Sequence, residues 1–424
     1  MEFKKYKIQE IGEVIGGGTP STKKSEYYGG NIPWITPKDL SNFKEVFISE
    51  GERNITEEGL KNSSARTLPS NTVLMTSRAP IGYLAIAKNE VTTNQGFKSI
   101  ICNESLVKPL FLYYSLKNDM DKIKSLGTGS TFSEISGKVV KNIEINIPSI
   151  EYQTIIEYIL GNFDKKIELN QKIIANLEEL SQTLFKRWFV DFEFPDENGN
   201  PYKSSGGEMV DSEIGKIPKG WTVKPLNEFI DIIDNRGKTP PLVNETRAHP
   251  IIDVKALSGD TRVIDYKKCL KFVSKETYDT WFRSGHPKKG DTLLSTVGSI
   301  GETKMFYHDI GTIAQNVVSL RSENSYFTYD LINNVKSSFL TFNIGSVQPS
   351  IKITHINKIK VVYPSKIVIE NYEKMVKKFI SNLYVRDLEN QNLIQLRDTL
   401  LPKLMSGEIE IPDDIEVNED ELSI

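Results

Sequence analysis

The chain has 424 residues, of which 38% are hydrophobic and 26% charged, a composition that suggests two or more water-exposed globular domains. Its formal net charge is −3, which argues against a uniformly basic nucleic-acid binder. No run approaches about 18 consecutive apolar residues, so no membrane span is expected. The opening, MEFKKYKIQEIGEVIGGG, lacks the apolar core of a signal peptide. Cys102 and Cys269 stand far apart without metal-type spacing. This fits a reducing cytoplasm and excludes a zinc module or a disulfide framework.

Residues 1–150 read as a first mixed, β-rich module, with short apolar runs such as TVLMT, GYLAIA and IEINIP between Gly, Pro, Asn and Ser clusters. Its opening loop, 16–30, supplies Thr19, Ser21, Lys23 and Lys24, with Lys38 soon after. A middle loop, 76–82, carries Arg78, and Gln95 follows. A late loop, 127–138, carries Thr128, Ser130 and Lys138. Residues 151–189 read as a long helix. Ile156, Leu160, Phe163, Ile167, Asn170, Ile174, Leu177, Ser181 and Leu184 alternate in steps of four and three, the seam of a coiled coil. Residues 190–216, rich in Gly, Pro, Ser and acids, read as a linker.

Residues 217–366 form a second module. Its loops carry Arg236 and Lys238 (234–247), Lys255, Ser299 (295–301), Gln315, and Ser346, Gln348 and Lys352 (343–352). Residues 367–405 are a second helix, with Tyr372, Val376, Phe379, Leu383, Arg386, Asn390, Leu393, Arg397 and Leu400 on the same alternation. About 35 residues of helix span roughly 52 Å. Polar seam residues such as Asn170, Arg386 and Asn390 fix register in coiled coils, so the two helices are expected to pack antiparallel, with a module towards each end. The tail, 406–424, holds eight acidic residues and no basic one. Without those eight, the 56 acidic residues fall to 48 against 53 basic ones, a net of +5 that permits a basic face.

The chain is written twice. Asn71-Thr-Val-Leu, Ile81-Gly82 and Gln95 recur as Asp291-Thr-Leu-Leu, Ile300-Gly301 and Gln315, at offsets of 220, 219 and 220. Gly129-Ser130 and IEINIP (143–148) recur as Gly345-Ser346 and IKVVYP (359–364) at an offset of 216. Several pairs in order at a near-constant offset indicate an internal repeat. The predicted class is α+β, with two β-rich modules, two antiparallel coiled-coil helices and a pseudo-twofold repeat.

Catalytic motifs are scarce. Asn31-Ile32-Pro33-Trp34 differs from the Asn-Pro-Pro-aromatic motif of adenine methyltransferases, and Gly16-Gly17-Gly18 lacks dinucleotide-loop spacing. Asp265-Tyr266-Lys267 is half of a nuclease motif at most, and His249, His286, His308 and His355 show no metal-ligand spacing. No catalytic residue, cofactor or metal is expected in this chain. The six matching loops suit binding instead. Arg can bridge guanine O6 and N7, Gln or Asn adenine N6 and N7, and Ser, Thr and Lys fit phosphates or base edges.

The order module, helix, module, helix is similar to that of the specificity (S) subunit of Type I restriction-modification systems, the HsdS family. So are the phrases IGEVIGGGTPS…YYGGNIPWITPKDL, IPSIEYQTIIEYILGNFDKKIELNQKIIANLEELSQTLFKRWFVDF, SEIGKIPKGWTVKPLNEFI and LIQLRDTLLPKLMSGEIEI, spread over residues 1–411. The resemblance implies that each module is a target-recognition domain for one half of a bipartite double-stranded DNA site. The helices would be the spacer on which modification subunits dock, two of them. It also implies restriction subunits, and S-adenosylmethionine, ATP and Mg held by these partners, which methylate a flipped-out adenine or translocate and cleave DNA. The middle loops, Arg78-Ala79-Pro80 and Gly298-Ser299, differ as modules for different half-sites would. Contact residues therefore do not transfer between the copies. Two other readings stand beside this one: the recognition polypeptide of a combined methyltransferase-nuclease system, and a coiled-coil adaptor without DNA contact.

Overall fold

A computed structural model describes residues 2–128, 133–237, 239–244, 249–345 and 349–409. It divides into two units, Met1–Asn170 with Glu389–Ile424, and Gln171–Leu388. Each unit holds one β-rich module and a part of each long helix.

In the first unit a five-stranded sheet runs Gly12–Gly16, Lys98–Cys102, Val73–Ser77, Ile81–Ala87, Phe47–Ile48. A three-stranded sheet runs Arg53–Ile55, Tyr28–Ile35, Thr92–Thr93. Lys4–Lys7 pairs with Glu144–Ile147, tying the start of the module to its end. Val73–Ser77 is buried on both faces, as a central strand with a nearly continuous apolar run must be. The helix Pro109–Asn118 lays Phe111, Leu112 and Tyr114 into the core behind it.

The second unit repeats this plan. A four-stranded sheet runs Asp231–Ile233, Val317–Arg321, Thr292–Ser295, Thr303–Met305. A three-stranded sheet runs Phe272–Val273, His249–Ile252, Thr312–Ile313. Thr222–Pro225 pairs with Lys360–Tyr363, and Ser325–Asn334 is the matching helix.

The first long helix is Ile150–Phe185, continued by a π-helical turn, Lys186–Val190. The second is Lys366–Ser406. Within the first unit they run antiparallel. Arg397 Nη1 donates to Asp164 Oδ1 at 2.5 Å, and Asn170 Nδ2 donates to Asn390 Oδ1 and Glu389 Oε2, each at 2.9 Å. Asn390 Nδ2 in turn donates to the Ile167 carbonyl at 3.2 Å. Within the second unit the rings of Phe185, Trp188 and Phe189 converge on Tyr372, 4.9–6.0 Å between centroids.

The seam is only part of what the helices bury. Ile156, Leu160, Ile167, Asn170, Ile174, Ser181, Tyr372, Val376, Leu383 and Asn390 are buried. Phe163, Leu177, Leu184, Phe379, Arg386, Leu393, Arg397 and Leu400 are half-buried. Buried polar groups flank the seam on the first helix: Glu157, Asp164 and Glu178. They face the modules, and each finds partners there. Tyr114 Oη donates to Asp164 Oδ2 at 2.6 Å. Glu178 accepts from Arg262 N at 2.5 Å and Arg262 Nε at 2.9 Å. Arg262 Nη2 also reaches Ser181 Oγ and Asp330 Oδ1. Breaking a buried ion pair by removing one partner typically costs about 3–5 kcal/mol, so Arg262 fixes the second module on its helix.

One contact is written twice. Glu157 accepts from the backbone of Phe111 at 3.0 Å, and Glu373, 216 residues later, accepts from that of Phe327 at 2.7 Å. Each carboxyl oxygen thus satisfies an open N–H in the first turn of the module helix. Burial pushes both carboxyls up to about 7. A raised folded pKa means the folded state holds the proton more tightly than the unfolded chain. The stabilisation is therefore full below about pH 4.5 and is lost as pH rises through about 7. Glu157→Gln and Glu373→Gln together are expected to flatten the fall in unfolding free energy over that window, as read by urea titrations at several pH values. An unchanged slope would show that these carboxyls do not set it.

The stretch 190–216, expected as a linker, is instead folded. Phe194 stacks on Trp221 at 4.8 Å and on Tyr202 at 4.6 Å, and Phe189 and Phe194 are buried. Met209–Ser212 and Gly215–Pro218 form a hairpin. Its Gly, Pro and Ser residues serve tight turns around aromatic anchors, so composition alone mimics a spacer. The tail from 410 onward lies outside the described residues.

Candidate nucleic-acid interface

The expected binding loops of the first unit are joined through backbone hydrogen bonds at the end of the large sheet. Ser77 N donates to the Gly96 carbonyl at 2.7 Å, and Ile135 N donates to the Ser77 carbonyl at 2.9 Å. This draws together the loops bearing Arg78, Gln95 and Thr128. The root of the opening loop joins them, since Gly17 N donates to Phe97 O and Gly18 N to Thr93 O. A Cβ on Gly17 would lie 1.9 Å from the Asn94 carbonyl, so this approach requires glycine. Asn94 N donates to Ile35 O at 3.0 Å, which brings in the turn bearing Lys38.

The second unit is assembled by the same bonds. Thr296 N donates to Asn316 O at 2.9 Å, Ile351 N to Thr296 O at 3.0 Å, and Ala314 N to Ile252 O at 2.9 Å. Gly298 N adds a bond to Pro349 O at 2.9 Å. The loops bearing Ser299, Gln315 and Lys352 and the turn bearing Lys255 are thereby gathered as in the first unit.

The individual side chains differ in freedom. Ser21, Lys23, Lys24, Gln95, Thr128 and Lys138 are exposed, and Thr19 is half-buried. Lys24 Nζ donates to Tyr27 Oη at 2.9 Å, and that bond raises the lysine pKa. Lys38 pairs with Glu52 at 2.5 Å. Arg78 pairs loosely with Glu134 at 3.7 Å, a residue of the late loop. Arg236 is held by Asp234 at 2.9 Å, while Lys255, Ser299 and Lys352 are exposed and Gln315 is half-buried. Ser130, Lys238, Ser346 and Gln348 lie outside the described residues. Lys98, which the sequence did not single out, sits beside Gly16 with Nζ 3.5 Å from the Phe97 carbonyl. Its place three residues after Gln95 was the available signal.

The catalytic look-alikes occupy structural places. Asn31-Ile32-Pro33-Trp34 lies in the strand Tyr28–Ile35, where buried Trp34 donates from Nε1 to Gly18 O at 3.0 Å. Asp265 pairs with Lys268 at 3.3 Å. His286 is used on both ring nitrogens, by Thr312 Oγ1 and Tyr278 O, each at 2.9 Å. Among the described residues no group of three His, Cys, Asp or Glu side chains is placed to hold a metal, and no helix is long and apolar enough to cross a membrane.

Comparison with known proteins points one way. The family described as the Type I restriction modification DNA specificity domain matches residues 1–179 and 218–397. The Type I restriction enzyme MjaIX specificity subunit of Methanocaldococcus jannaschii is 36% identical over 421 residues, covering 96% of this chain and 93% of that one. The HindI specificity subunit of Haemophilus influenzae is 25% identical, covering 74% of this chain and 80% of its own. In three dimensions the fold is similar to a Type I restriction-modification S subunit from M. genitalium, with a TM-score of 0.58 at 17% identity over 98% of this chain and 97% of that one.

Proposed function

The chain belongs to the Type I restriction modification DNA specificity family, whose members are non-catalytic specificity subunits, and from that premise we propose that its two modules each read one half of a bipartite DNA site. The observation that carries this is the duplicated bond set, in which Ser77–Gly96 and Ile135–Ser77 reappear as Thr296–Asn316 and Ile351–Thr296. Equal frames with unequal loop tips suit two readers of two different sequences. Phosphate contacts fix register, and groove contacts specify bases.

The long helices are the ruler between the half-sites and the platform for two modification subunits. Support for two docking places is again a repeat. Leu169 and Leu396, 54% and 52% exposed, lie on the helices of the first unit. Leu180 and Val385, 45% and 61% exposed, lie on those of the second. Leu169 recurs as Val385 and Leu180 as Leu396, each at offset 216. S-adenosylmethionine sits with the modification subunits, ATP and Mg with restriction subunits, and the complex works in the cytoplasm.

Arg78→Ala tests the reading in the complex with modification subunits. Loss of a bidentate guanine contact is expected to relax one base pair of one half-site by about 1–3 kcal/mol, seen in the spread of methylated sequences. A uniform loss over all sequences would mark Arg78 as a phosphate contact instead.

A further inference from the structure

We propose that the second unit reads DNA with a fourth loop, Trp281–Gly285, in which Arg283 contacts a base edge and Trp281 packs an apolar face against the same half-site. The inference rests on the half-site reading above and extends it to residues outside the six repeated loops.

The loop leaves the helix Lys275–Trp281, whose start is capped by Ser274 Oγ accepting from Thr277 N at 3.1 Å. Tyr278 on this helix is sandwiched between two imidazoles. Its ring lies 4.1 Å from His249 and 3.7 Å from His286, at interplanar angles of 20° and 4°. With His286 also bonded on both ring nitrogens, the base of the loop is rigid. Little ordering entropy is then left to lose on binding.

Two bonds set the loop among the others. Asn235 Nδ2 donates to Gly285 O at 2.9 Å, joining it to the loop of Arg236. His286 meets Thr312, three residues before Gln315. Between these ties, Trp281 is 37% exposed. Arg283 is exposed and has no ion pair or hydrogen bond among the described residues. An exposed guanidinium on a rigid loop, without a partner among the described residues, offers paired donors in the geometry of guanine O6 and N7. An exposed indole beside it suits a thymine methyl or sugar.

The first unit has a counterpart. Ser63–Arg66 follows the helix Glu57–Lys61 and abuts the opening loop so closely that a Cβ on Gly18 would lie 2.1 Å from Ala65 N. Arg66 is exposed there.

The test is to map methylated sites for the chain with its modification subunits, as wild type, Arg283→Ala, Trp281→Ala and Arg66→Ala. Arg283→Ala is expected to lower the preference at one base pair of one half-site by about tenfold, the scale of one bidentate contact. Trp281→Ala should weaken selectivity in that same half, and Arg66→Ala should act only in the other half. Unchanged preferences for Arg283→Ala, an even loss over all sites, or Arg283→Ala and Arg66→Ala acting in one half would overturn the proposal. A wild-type complex that methylates no bipartite site would instead overturn the half-site reading itself.

Discussion

Inserting four residues after Lys172 and four after Leu388 is expected to lengthen the gap of the methylated site by one base pair and leave both half-sites unchanged. Both points fall beside the divide between the two units, at Asn170–Gln171 and Leu388–Glu389. The module contacts of Asp164, Glu178, Glu157 and Glu373 therefore stay intact. Four residues add about 6 Å of rise and about 400° of turn, a net of about 40°. One base pair adds about 3.4 Å and about 34° of twist, given 10–10.5 pairs per turn. The rotations nearly match, so each reading surface still meets its groove. The excess of about 2–3 Å is small enough for tilt or DNA deformation to absorb.

Two-residue insertions at the same points are expected to abolish methylation. They add about 3 Å but about 200°, which turns one reading surface away from the duplex and moves the seam off register. Sequencing of methylated adenines reads both variants. A four-residue variant that keeps the original gap would show that the helices are not the ruler.

The repeat was legible in the sequence because turn and strand motifs recur at offsets of 216–220. It predicted the two modules and the shared loop positions. The seam was legible at its centre, where Asn170 meets Asn390. What periodicity could not show was the second buried face of the helices. Asp164 and Glu178 look like solvent-facing charges until their partners, Tyr114 and Arg262, are placed beside them, 50 and 84 residues away in sequence. The stretch 190–216 misled for a related reason. Its turn-forming residues outnumber the aromatic anchors that bury it. Among candidate contacts, Lys138 falls in the helix Gly137–Lys141 rather than in the late loop, and the engagement of Arg236 by Asp234 and of Lys38 by Glu52 depends on side-chain geometry that spacing does not encode.

Exchange of one module bears most directly on the central claim, that two independent readers share one chain. Lys4–Lys7 pairs with Glu144–Ile147, which ties the start of the first module to its end, so the exchange replaces residues 1–148 as a block by the matching block of a relative. The hybrid, assembled with its modification subunits, should methylate a new bipartite sequence. One half should be that of the donor, and the other half and the gap should be unchanged. A hybrid site altered in both halves, or in neither, would contradict the account.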